Sequence, residues 1–409
     1  MMINEKIHTP DGVNDSLPKQ CALKSKTLHS IADVYKSYGY FEIQTPTYEY
    51  INVLSGSDKQ DLIKFIDTKG NILALRPDLT TGIARVAATK MSHKKFPLRV
   101  FYTGSAFAMS SAYQGALQNE FTQTGIECLG TTSLEADAEV IVATIEAVLS
   151  TGVTDFQLEI GHADYFKGLM EQAGFDKEQT ESMRQLVDRK SFVGVAELVD
   201  NCPIDKELKN TILNLPNSFG GIEVLNSQKG LGEKASKALD DIKRVYEIIY
   251  DYGYQDYISI DLGMVQKLNY YTGIIVKGFA GGMGFPICGG GRYDNLIGEF
   301  GVSIPATGIA IGVERLLNLC ENNERTSAET IVCYDEGKRA DAIKVSRGLR
   351  SNGVITQMWV DEISDVMDYA TKHDVCGVAY VTDNGVEITN VQTGEKISVQ
   401  ASDLIGGEV

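Results

Sequence analysis

The sequence predicts an α+β fold in which an antiparallel sheet is flanked by helices, interrupted by a helical insertion and followed by a small α/β domain. Two β-rich halves lie on either side of a mainly helical block at about residues 166–250. The second half centres on a glycine-rich stretch from Leu268 to Leu317, which contains apolar, β-rich runs. Beyond a polar segment, strand and helix patterns alternate, which is typical of a mostly parallel sheet.

The length of 409 residues is enough for two domains, one of them with a large core. We expect a core domain at residues 1–322 that includes the insertion, a linker at 321–329 and a C-terminal domain at 330–409. No apolar run reaches the roughly 18 residues of a membrane span, and the N-terminus lacks an apolar leader. These features predict a cytoplasmic protein without a membrane partner.

Charge and cysteine usage narrow the function. The chain has 38 lysines and arginines against 55 aspartates and glutamates, a net charge of −17, which disfavours binding to phosphate backbones. Seven cysteines are scattered without a CxxC pair, and five histidines form no HxxxH pattern. This usage is typical of a reducing compartment and predicts neither disulfides nor a metal site.

The N-terminal region predicts a helix and an edge strand. Apolar residues recur at helical spacing from about Cys21 to Tyr38, and Gly39 suits the end of such a helix. Tyr40–Pro46 is predicted as a strand, and Pro46 places it at an edge or strand end because proline cannot donate to a ladder. This helix and strand form either a surface for self-dimerisation or an ordinary intramolecular pair.

Further elements follow from periodicity and turn residues. Residues 61–77 predict a hairpin that turns at Lys69 and Gly70, and Asp78 and Thr80 suit the start of a helix through Ala88. The remaining predicted elements of the core are strands at Arg99–Phe107, Glu120–Gly130 and Asp155–Ile160 and a helix at Leu134–Ser150. In the C-terminal domain, strands are predicted at TIVCYD, VITQMWV and VCGVAYV, helices at Ala340–Leu349 and Ile363–Thr371, and edge strands at EITNVQ and KISVQ.

The glycine-rich stretch predicts a pocket for a small polar molecule. Gly281–Gly284 predicts a hairpin turn because glycine accepts positive φ without steric cost. Gly289–Gly291 lets backbone approach backbone or ligand closely. Polar side chains recur along the stretch at Tyr270, Tyr271, Thr272, Arg292, Tyr293 and Asp294.

Several motifs in the same order resemble those of class II aminoacyl-tRNA synthetases: GYFEIQTP ending at Pro46, a hairpin loop beginning GSAF, and GIAIGVERLL. More narrowly, LALRPDLT, EFTQTGIE, LNYYTG and GGGRYD are similar to the histidyl-tRNA synthetase branch. The resemblance covers essentially the whole chain. It implies a class II synthetase-like antiparallel sheet and a C-terminal domain resembling an anticodon-binding domain.

The resemblance also implies a histidine-binding site, whose residues in this chain are Asp78, Thr80, Gln123, Glu127, Tyr270 and Tyr271. An α-ammonium needs acceptor oxygens, which Asp78, Thr80 and Gln123 can supply. An imidazole has two ring nitrogens, which Glu127 and a tyrosine hydroxyl can engage. The alternative is that these are satisfied strand polar groups and that the effector binds at a subunit interface.

The ATP-binding half of the synthetase pattern is missing. Ala108 stands where the family has an arginine after the phenylalanine of its second motif, and after Arg99 the next cation along the chain is Lys167. Gln266 stands where a second family arginine is expected. Phosphates near carboxylates require cations, so we expect no ATP chemistry and no cofactor. Arg315 persists, either for nucleotide binding or as an ion pair with its neighbour Glu314.

The C-terminal domain lacks the charge of a tRNA reader. Residues 330–409 contain seven lysines and arginines against thirteen aspartates and glutamates, and one tryptophan, Trp359, for base stacking. Five of the basic residues fall on one predicted helix, as a small patch or a solvated face. We therefore expect no tRNA binding.

A chain that keeps the amino-acid pocket but lacks the ATP and tRNA functions resembles the family of regulatory subunits of short-form ATP phosphoribosyltransferases. The resemblance implies a non-catalytic subunit of histidine biosynthesis that joins a catalytic subunit and dimerises within a hetero-oligomer. It also implies that this subunit supports activity and mediates feedback inhibition by L-histidine. The alternatives are an active histidine–tRNA ligase, or another amino-acid-sensing or RNA-binding paralogue.

Overall fold

The computed structural model describes residues 7–54, 62–109, 118–200, 202–265 and 270–404. The chain divides into two compact units, Met1–Asn322 and Asn323–Val409. The described strands, in chain order, are β1 (Phe41–Glu42), β2 (Tyr48–Tyr50), β3 (Lys64–Ile66), β4 (Ile72–Leu75), β5 (Leu98–Phe107), β6 (Glu120–Leu129), β7 (Phe156–His162), β8 (Phe219–Gly220), β9 (Ile258–Asp261), β10 (Ile274–Ala280), β11 (Cys288–Arg292), β12 (Ala306–Gly312), β13 (Thr330–Tyr334), β14 (Thr356–Met358), β15 (Gly377–Thr382), β16 (Gly385–Asn390) and β17 (Lys396–Val399).

The described α-helices are α1 (Pro18–Ser37), α2 (Thr80–Val86), α3 (Leu134–Leu149), α4 (Ala163–Gln172), α5 (Lys177–Asp188), α6 (Phe192–Asp200), α7 (Lys206–Asn214), α8 (Glu233–Asp251), α9 (Val313–Leu317), α10 (Arg339–Ser351), α11 (Val366–Lys372) and α12 (Ala401–Leu404). Helix α2 continues as a π-helical turn at Ala87–Met91. No described helix is both long enough and apolar enough to span a bilayer.

The larger unit is built on a nine-stranded sheet in the order β1-β5-β6-β12-β11-β10-β7-β9-β8. The six strands from β5 to β7 in this order are joined by antiparallel pairing. Helices α4 to α8 lie between β7 and β9 in the chain, so the helical insertion joins two halves of one sheet. The predicted antiparallel sheet flanked by helices is confirmed.

The two faces of this sheet carry different side chains. On β6, Thr124, Ile126 and Cys128 alternate with Gln123, Gly125 and Glu127, as the period of two requires. Ile126 and Cys128 join the main apolar core, which also contains residues of α1, α3, α4 and α8. The other face carries the second set and has a smaller core beside it, built from α2 and strand residues such as Val100 and Tyr102.

The N-terminal edge and the helical insertion of the larger unit differ from the prediction, whereas the hairpin near Lys69 is confirmed. The strand predicted at Tyr40–Pro46 is reduced to Phe41–Glu42 plus one further bond from Ile43 N to Phe101 O, because the Thr45 and Pro46 carbonyls accept from Arg76 instead. The insertion contributes a short strand, β8, at the edge of the sheet. The hairpin predicted near Lys69 is present as β3 and β4, which pair with β2 in a separate three-stranded sheet.

The smaller unit has a five-stranded sheet in the order β14-β13-β15-β16-β17. Strands β13, β14 and β15 are parallel, which confirms the alternating pattern, and β16 and β17 are antiparallel additions. The prediction that EITNVQ forms an edge strand is wrong, because β16 lies between β15 and β17. Lys338 is the cap residue of α10 rather than part of it.

Candidate functional site

One face of the large sheet has a floor made of small residues. Cross-strand neighbours share a face, and the register places Gly308 of β12 opposite Glu127, Ala310 opposite Gly125, and Gly289 of β11 opposite Ala310. A methyl group on Gly308 would lie 1.6 Å from Glu127 Oε2, whereas one on Gly289 would meet only a carbonyl oxygen at 3.5 Å. We call this surface, formed by Gly289, Gly308 and Ala310, the glycine floor. It lets a carboxylate lie flat on the sheet and leaves open space beside it.

Glu127 is the central polar group of the site. It is only 1% exposed, and both carboxylate oxygens accept hydrogen bonds. Thr80 Oγ1 donates to Oε1 at 2.9 Å, and the Tyr293 hydroxyl donates to Oε2 at 2.5 Å. Burial raises the pKa of the Glu127 carboxyl to about 7, although these two donors oppose the shift. A group with this pKa can change its protonation state near neutral pH.

Helix α2 brings its first turn to Glu127. Asp78 accepts from the Thr81 backbone N at 2.7 Å and from Thr81 Oγ1 at 3.1 Å, and so satisfies a free amide at the helix start. Burial raises the pKa of the Asp78 carboxyl, against these hydrogen bonds. Thr80, predicted as an acceptor for an ammonium group, also donates to Glu127. Asp78 and Thr80 keep lone pairs with which to accept from a ligand.

An aromatic cluster forms a wall beside Glu127. The Tyr270 ring stacks on Tyr293 with centroids 6.2 Å apart and meets Tyr271 edge to face at 4.8 Å. Burial raises the pKa of Tyr270 and Tyr293 well above the ordinary value, so both hydroxyls stay protonated and able to donate. The Tyr102 ring lies over Gly125, where a methyl group would be 2.7 Å from its hydroxyl.

A cleft of about 860 Å³ opens over Gly289 and Ala310 of the glycine floor, and Gln123 and Tyr271 also line it. Gln123 Oε1 is buried and has no hydrogen-bond partner among the described residues. An unpaired buried acceptor costs about 1–3 kcal/mol, so a ligand donor at this position would be stabilising. The structure thus places Gln123 and Tyr271 along the cleft, whereas Asp78, Thr80, Glu127 and Tyr270 are not among the residues that line it.

The cleft is not free of cations. Lys24, Lys277 and Arg315 line it, from α1, β10 and α9. Lys24 pairs with Glu314 at 2.9 Å, and Arg315 donates to the Pro286 carbonyl at 2.6 Å, so Glu314 finds its ion-pair partner on α1. The described strands of the β5–β6 hairpin contain one cation, Arg99, which pairs with Glu139. Ala108 is buried, and Gln266 lies outside the described residues.

Three polar residues of the glycine-rich stretch do not serve the pocket. Arg292 is buried in an ion pair with Asp137 at 2.7 Å and also donates to the Thr131 and Ser133 carbonyls. Asp294 accepts from Ala306 N, and Thr272 Oγ1 accepts from Asp294 N. These contacts fix β11, β12 and the start of α3. The prediction that these three side chains line a pocket is therefore wrong.

Tyr293, Gly308 and Tyr102 are site residues that the sequence analysis did not assign. Tyr293 was noted in GGGRYD only as one polar residue among several. Its bond to Glu127 spans 166 positions and depends on the register of three strands, β6, β12 and β11. Gly308 carried no signal beyond its place in an apolar strand. Among the described residues, no cluster of three histidine, cysteine or acidic side chains is arranged to hold a metal.

The smaller unit uses its aromatic residues internally. Trp359 packs on Tyr369 with ring centroids 5.0 Å apart, and its indole N–H donates to the Glu362 carbonyl at 2.8 Å. Tyr369 stacks in turn on His373 at 4.1 Å. Trp359 is therefore part of the packing of this unit.

Comparison with known proteins defines the class first. A family model described as histidyl-tRNA synthetase matches residues 12–316. The solved structure of histidyl-tRNA synthetase from Nostoc sp. has a TM-score of 0.78 at 22% identity, covering 98% of each chain, which shows the shared fold. The fold and the site together define a protein of the histidyl-tRNA synthetase-like class.

Closer relatives narrow the class. An ATP phosphoribosyltransferase regulatory subunit from Acetivibrio thermocellus is 41% identical in an alignment that covers 99% of this chain and 100% of the relative. A solved structure from Bacillus halodurans C, described as an ATP phosphoribosyltransferase regulatory subunit/histidyl-tRNA synthetase, is 30% identical with a TM-score of 0.83, covering 92% of this chain and 98% of that one. The chain belongs to the family of ATP phosphoribosyltransferase regulatory subunits, and its role is regulatory rather than catalytic.

Proposed function

We propose that this chain is the histidine-sensing regulatory subunit of a short-form ATP phosphoribosyltransferase, the enzyme of the first step of histidine biosynthesis. Its partners are the catalytic subunit, which alone handles the reaction, and L-histidine, which acts as feedback inhibitor. The family assignment supports the partner. The observation that carries the ligand is the buried Glu127 carboxylate, held by Thr80 and Tyr293 on the same face of β6 as the unpaired Gln123 oxygen.

The chemistry of histidine matches these groups one by one. Glu127 keeps a free lone pair on each oxygen and can accept from an imidazole N–H. The Tyr270 or Tyr271 hydroxyl can engage the second ring nitrogen. The α-ammonium group can donate to Gln123 Oε1, with Asp78 and Thr80 as further acceptors. The glycine floor provides room for a ligand that lies flat against the sheet.

The same site does not favour ATP. The arginine expected after Phe107 is replaced by the buried Ala108, and Arg99 is held by Glu139. Two of the three cations that line the cleft, Lys24 and Arg315, are already engaged by Glu314 and the Pro286 carbonyl. Phosphoryl chemistry depends on several cations aimed at the phosphates. A ligase function is therefore the weaker candidate, as is binding of tRNA by the acidic C-terminal unit.

Regulation follows from linkage. Histidine that binds one arrangement of the hetero-oligomer better than another shifts the population toward the first. A coupling free energy of about 1–3 kcal/mol changes the activity or affinity of the partner roughly 5- to 150-fold. The chain needs no catalytic group of its own for this effect.

We also propose self-dimerisation through the N-terminal edge of the large sheet and the adjoining small sheet. Phe41 on the edge strand is 74% exposed, and Ile66 on β3 is 71% exposed. Tyr48 and Tyr50 on β2 are also exposed. Isolated apolar residues at a surface are ordinary, but several exposed apolar residues on one three-stranded sheet favour an interaction surface.

Two measurements test the proposed function. Calorimetry on the purified chain and on its complex with the catalytic subunit is expected to detect histidine binding, which Glu127→Ala and Tyr271→Phe weaken. Histidine-dependent exchange between ATP and pyrophosphate is expected to be absent. If both variants bind like wild type, the pocket is misplaced, and robust exchange would instead identify a ligase.

A further inference from the structure

The proposed histidine site leaves one ligand group without a partner. Free histidine carries a carboxylate as well as an ammonium group and an imidazole. Glu127, Asp78 and Gln123 all present acceptor oxygens, which repel a carboxylate. A cation elsewhere along the cleft would supply the missing partner.

Most of the cations near the cleft are engaged by other groups of the protein. Arg76 donates to the Ser105 and Thr45 carbonyls, and Arg292 is paired with Asp137. Lys167 donates to the Tyr271 carbonyl at 3.2 Å. Lys24 and Arg315 line the cleft and hold Glu314 and the Pro286 carbonyl, as described above. These cations have structural partners.

Lys277 differs from them. It lines the cleft, and its ammonium group makes no hydrogen bond or ion pair with any described residue. Its cross-strand neighbour Glu159 and Asp261 are influenced by its charge and also by the charge of Lys190, which follows α5 of the insertion. None of these contacts is close enough to count as an ion pair.

The register places Lys277 on the same face as Gln123. Lys277 lies opposite Gly289, Gly289 opposite Ala310, and Ala310 opposite Gly125, which is two residues from Gln123 on β6. The strands β10 and β6 are three strand spacings apart, about 14 Å. Because the two intervening strands carry only glycine and alanine at these positions, no larger side chain of β11 or β12 stands between the two side chains.

We propose that Lys277 binds the α-carboxylate of the amino-acid ligand and so selects a free amino acid over an amine with the same side chain. This inference rests on the proposed function. The zwitterion lies across the glycine floor, with its ammonium group at Gln123 and its carboxylate toward β10. The imidazole then points to Glu127. In this arrangement Lys277 is a specificity-determining residue contributed by a strand of the second β-rich half.

The test compares L-histidine with histamine, which lacks only the carboxylate, by calorimetry on the full chain. Wild type is expected to prefer histidine by about 10- to 100-fold, the range of one charge-assisted hydrogen bond. Lys277→Met is expected to remove this preference by weakening histidine while leaving histamine unchanged. Lys277→Arg is expected to keep it, since a guanidinium also binds carboxylates.

Lys190→Met is the matched control. It removes the same charge beside Glu159 and Asp261 but does not line the cleft, so it is expected to keep the preference. Unfolding curves in urea are measured for each variant to check that it is folded. If Lys277→Met binds histidine and keeps the wild-type preference, the assignment of Lys277 is overturned while the histidine site stands. If wild type itself binds no histidine, the proposed function fails and takes this inference with it.

Discussion

The Tyr293 hydroxyl donates to Glu127 Oε2 at 2.5 Å, in a site where the carboxyl is buried and no cation among the described residues is bonded to it. Two neutral hydroxyls, from Tyr293 and Thr80, therefore hold the carboxylate in place, as an arginine would in an ion pair. They orient the carboxylate without neutralising it. The result is a buried group whose charge state depends on pH and on what binds beside it.

Removing the first of these donors is expected to weaken histidine binding. Tyr293→Phe leaves Glu127 Oε2 without a partner and favours the protonated carboxyl, so the affinity for histidine should fall about tenfold by calorimetry. Tyr250→Phe is the control, because Tyr250 is exposed on α8 and is not one of the site residues. Unchanged affinity in Tyr293→Phe would mean that Glu127 does not contact the ligand.

The glycine floor gives a steric prediction. Gly308→Ala places a methyl group 1.6 Å from Glu127 Oε2, so the carboxylate must move. We expect loss of histidine binding together with a decrease of about 1–3 kcal/mol in the free energy of unfolding, measured in urea. Gly298→Ala is the matched control, since nothing lies within 4 Å of its added methyl group. Retained binding in Gly308→Ala would show that the position of Glu127 is unimportant.

Glu127 also predicts how histidine affinity depends on pH. Its pKa of about 7 in the folded chain is close to the imidazole pKa of about 6.5, and the bound pair holds one shared proton. Below pH 6 both partners carry a proton and one must leave; above pH 7.5 neither does and one must be taken up. The affinity for histidine should therefore peak between pH 6.5 and 7. On each side of the peak it should fall with a slope that approaches tenfold per pH unit.

Glu127→Gln separates the two sides of this profile. The amide does not titrate, so the decrease above pH 7 should vanish while the decrease at low pH, caused by the ligand, persists. Glu127 also affects the free chain: because its pKa is raised from 4.5, the folded state binds more protons than the unfolded state between pH 4.5 and 7. This contribution to stability is present below pH 4.5 and is lost as pH rises through 7. A flat binding profile in wild type would contradict the shared proton.

The ion pair of Arg292 and Asp137 predicts a purely structural effect. Both side chains are buried, and Arg292 also holds two carbonyls that precede α3. Arg292→Met leaves Asp137 buried without its partner and is expected to lower the free energy of unfolding by about 3–5 kcal/mol. Lys372→Met, which removes an exposed pair with Asp368, is expected to have no measurable effect. If Arg292→Met has the same free energy of unfolding as wild type, the structural role of Arg292 is contradicted and Arg292 is again a candidate ligand residue.

Local sequence patterns predicted most of the helices and strands of the fold. Alternation along Arg99–Phe107 and Glu120–Gly130 predicted β5 and β6 within one residue, and helical periodicity predicted α3 nearly to its ends. The class of sheet followed from motifs in order. Elements that depend on long-range pairing were the ones missed. Strand β8 has two residues and exists only because it pairs with β9.

Site residues that belong to a family motif could be predicted from the sequence. Site residues whose closeness depends on the register of the strands could not. Thr80 and Glu127 were assigned through family motifs, and they are bonded in the structure. Whether they bind histidine stays a prediction. Tyr293 and Gly308 could not be assigned, because their closeness to Glu127 depends on how β11 and β12 align with β6. Arg292 was misassigned, since its partner Asp137 lies 155 positions away.

The most direct test is the transferase activity of the complex reconstituted with the catalytic subunit, measured against histidine concentration for wild type and Glu127→Gln. The account predicts that both complexes are active without histidine, that histidine inhibits the wild-type complex, and that the variant complex requires at least tenfold more histidine for the same inhibition. Equal inhibition of the two complexes at the same histidine concentration would contradict it.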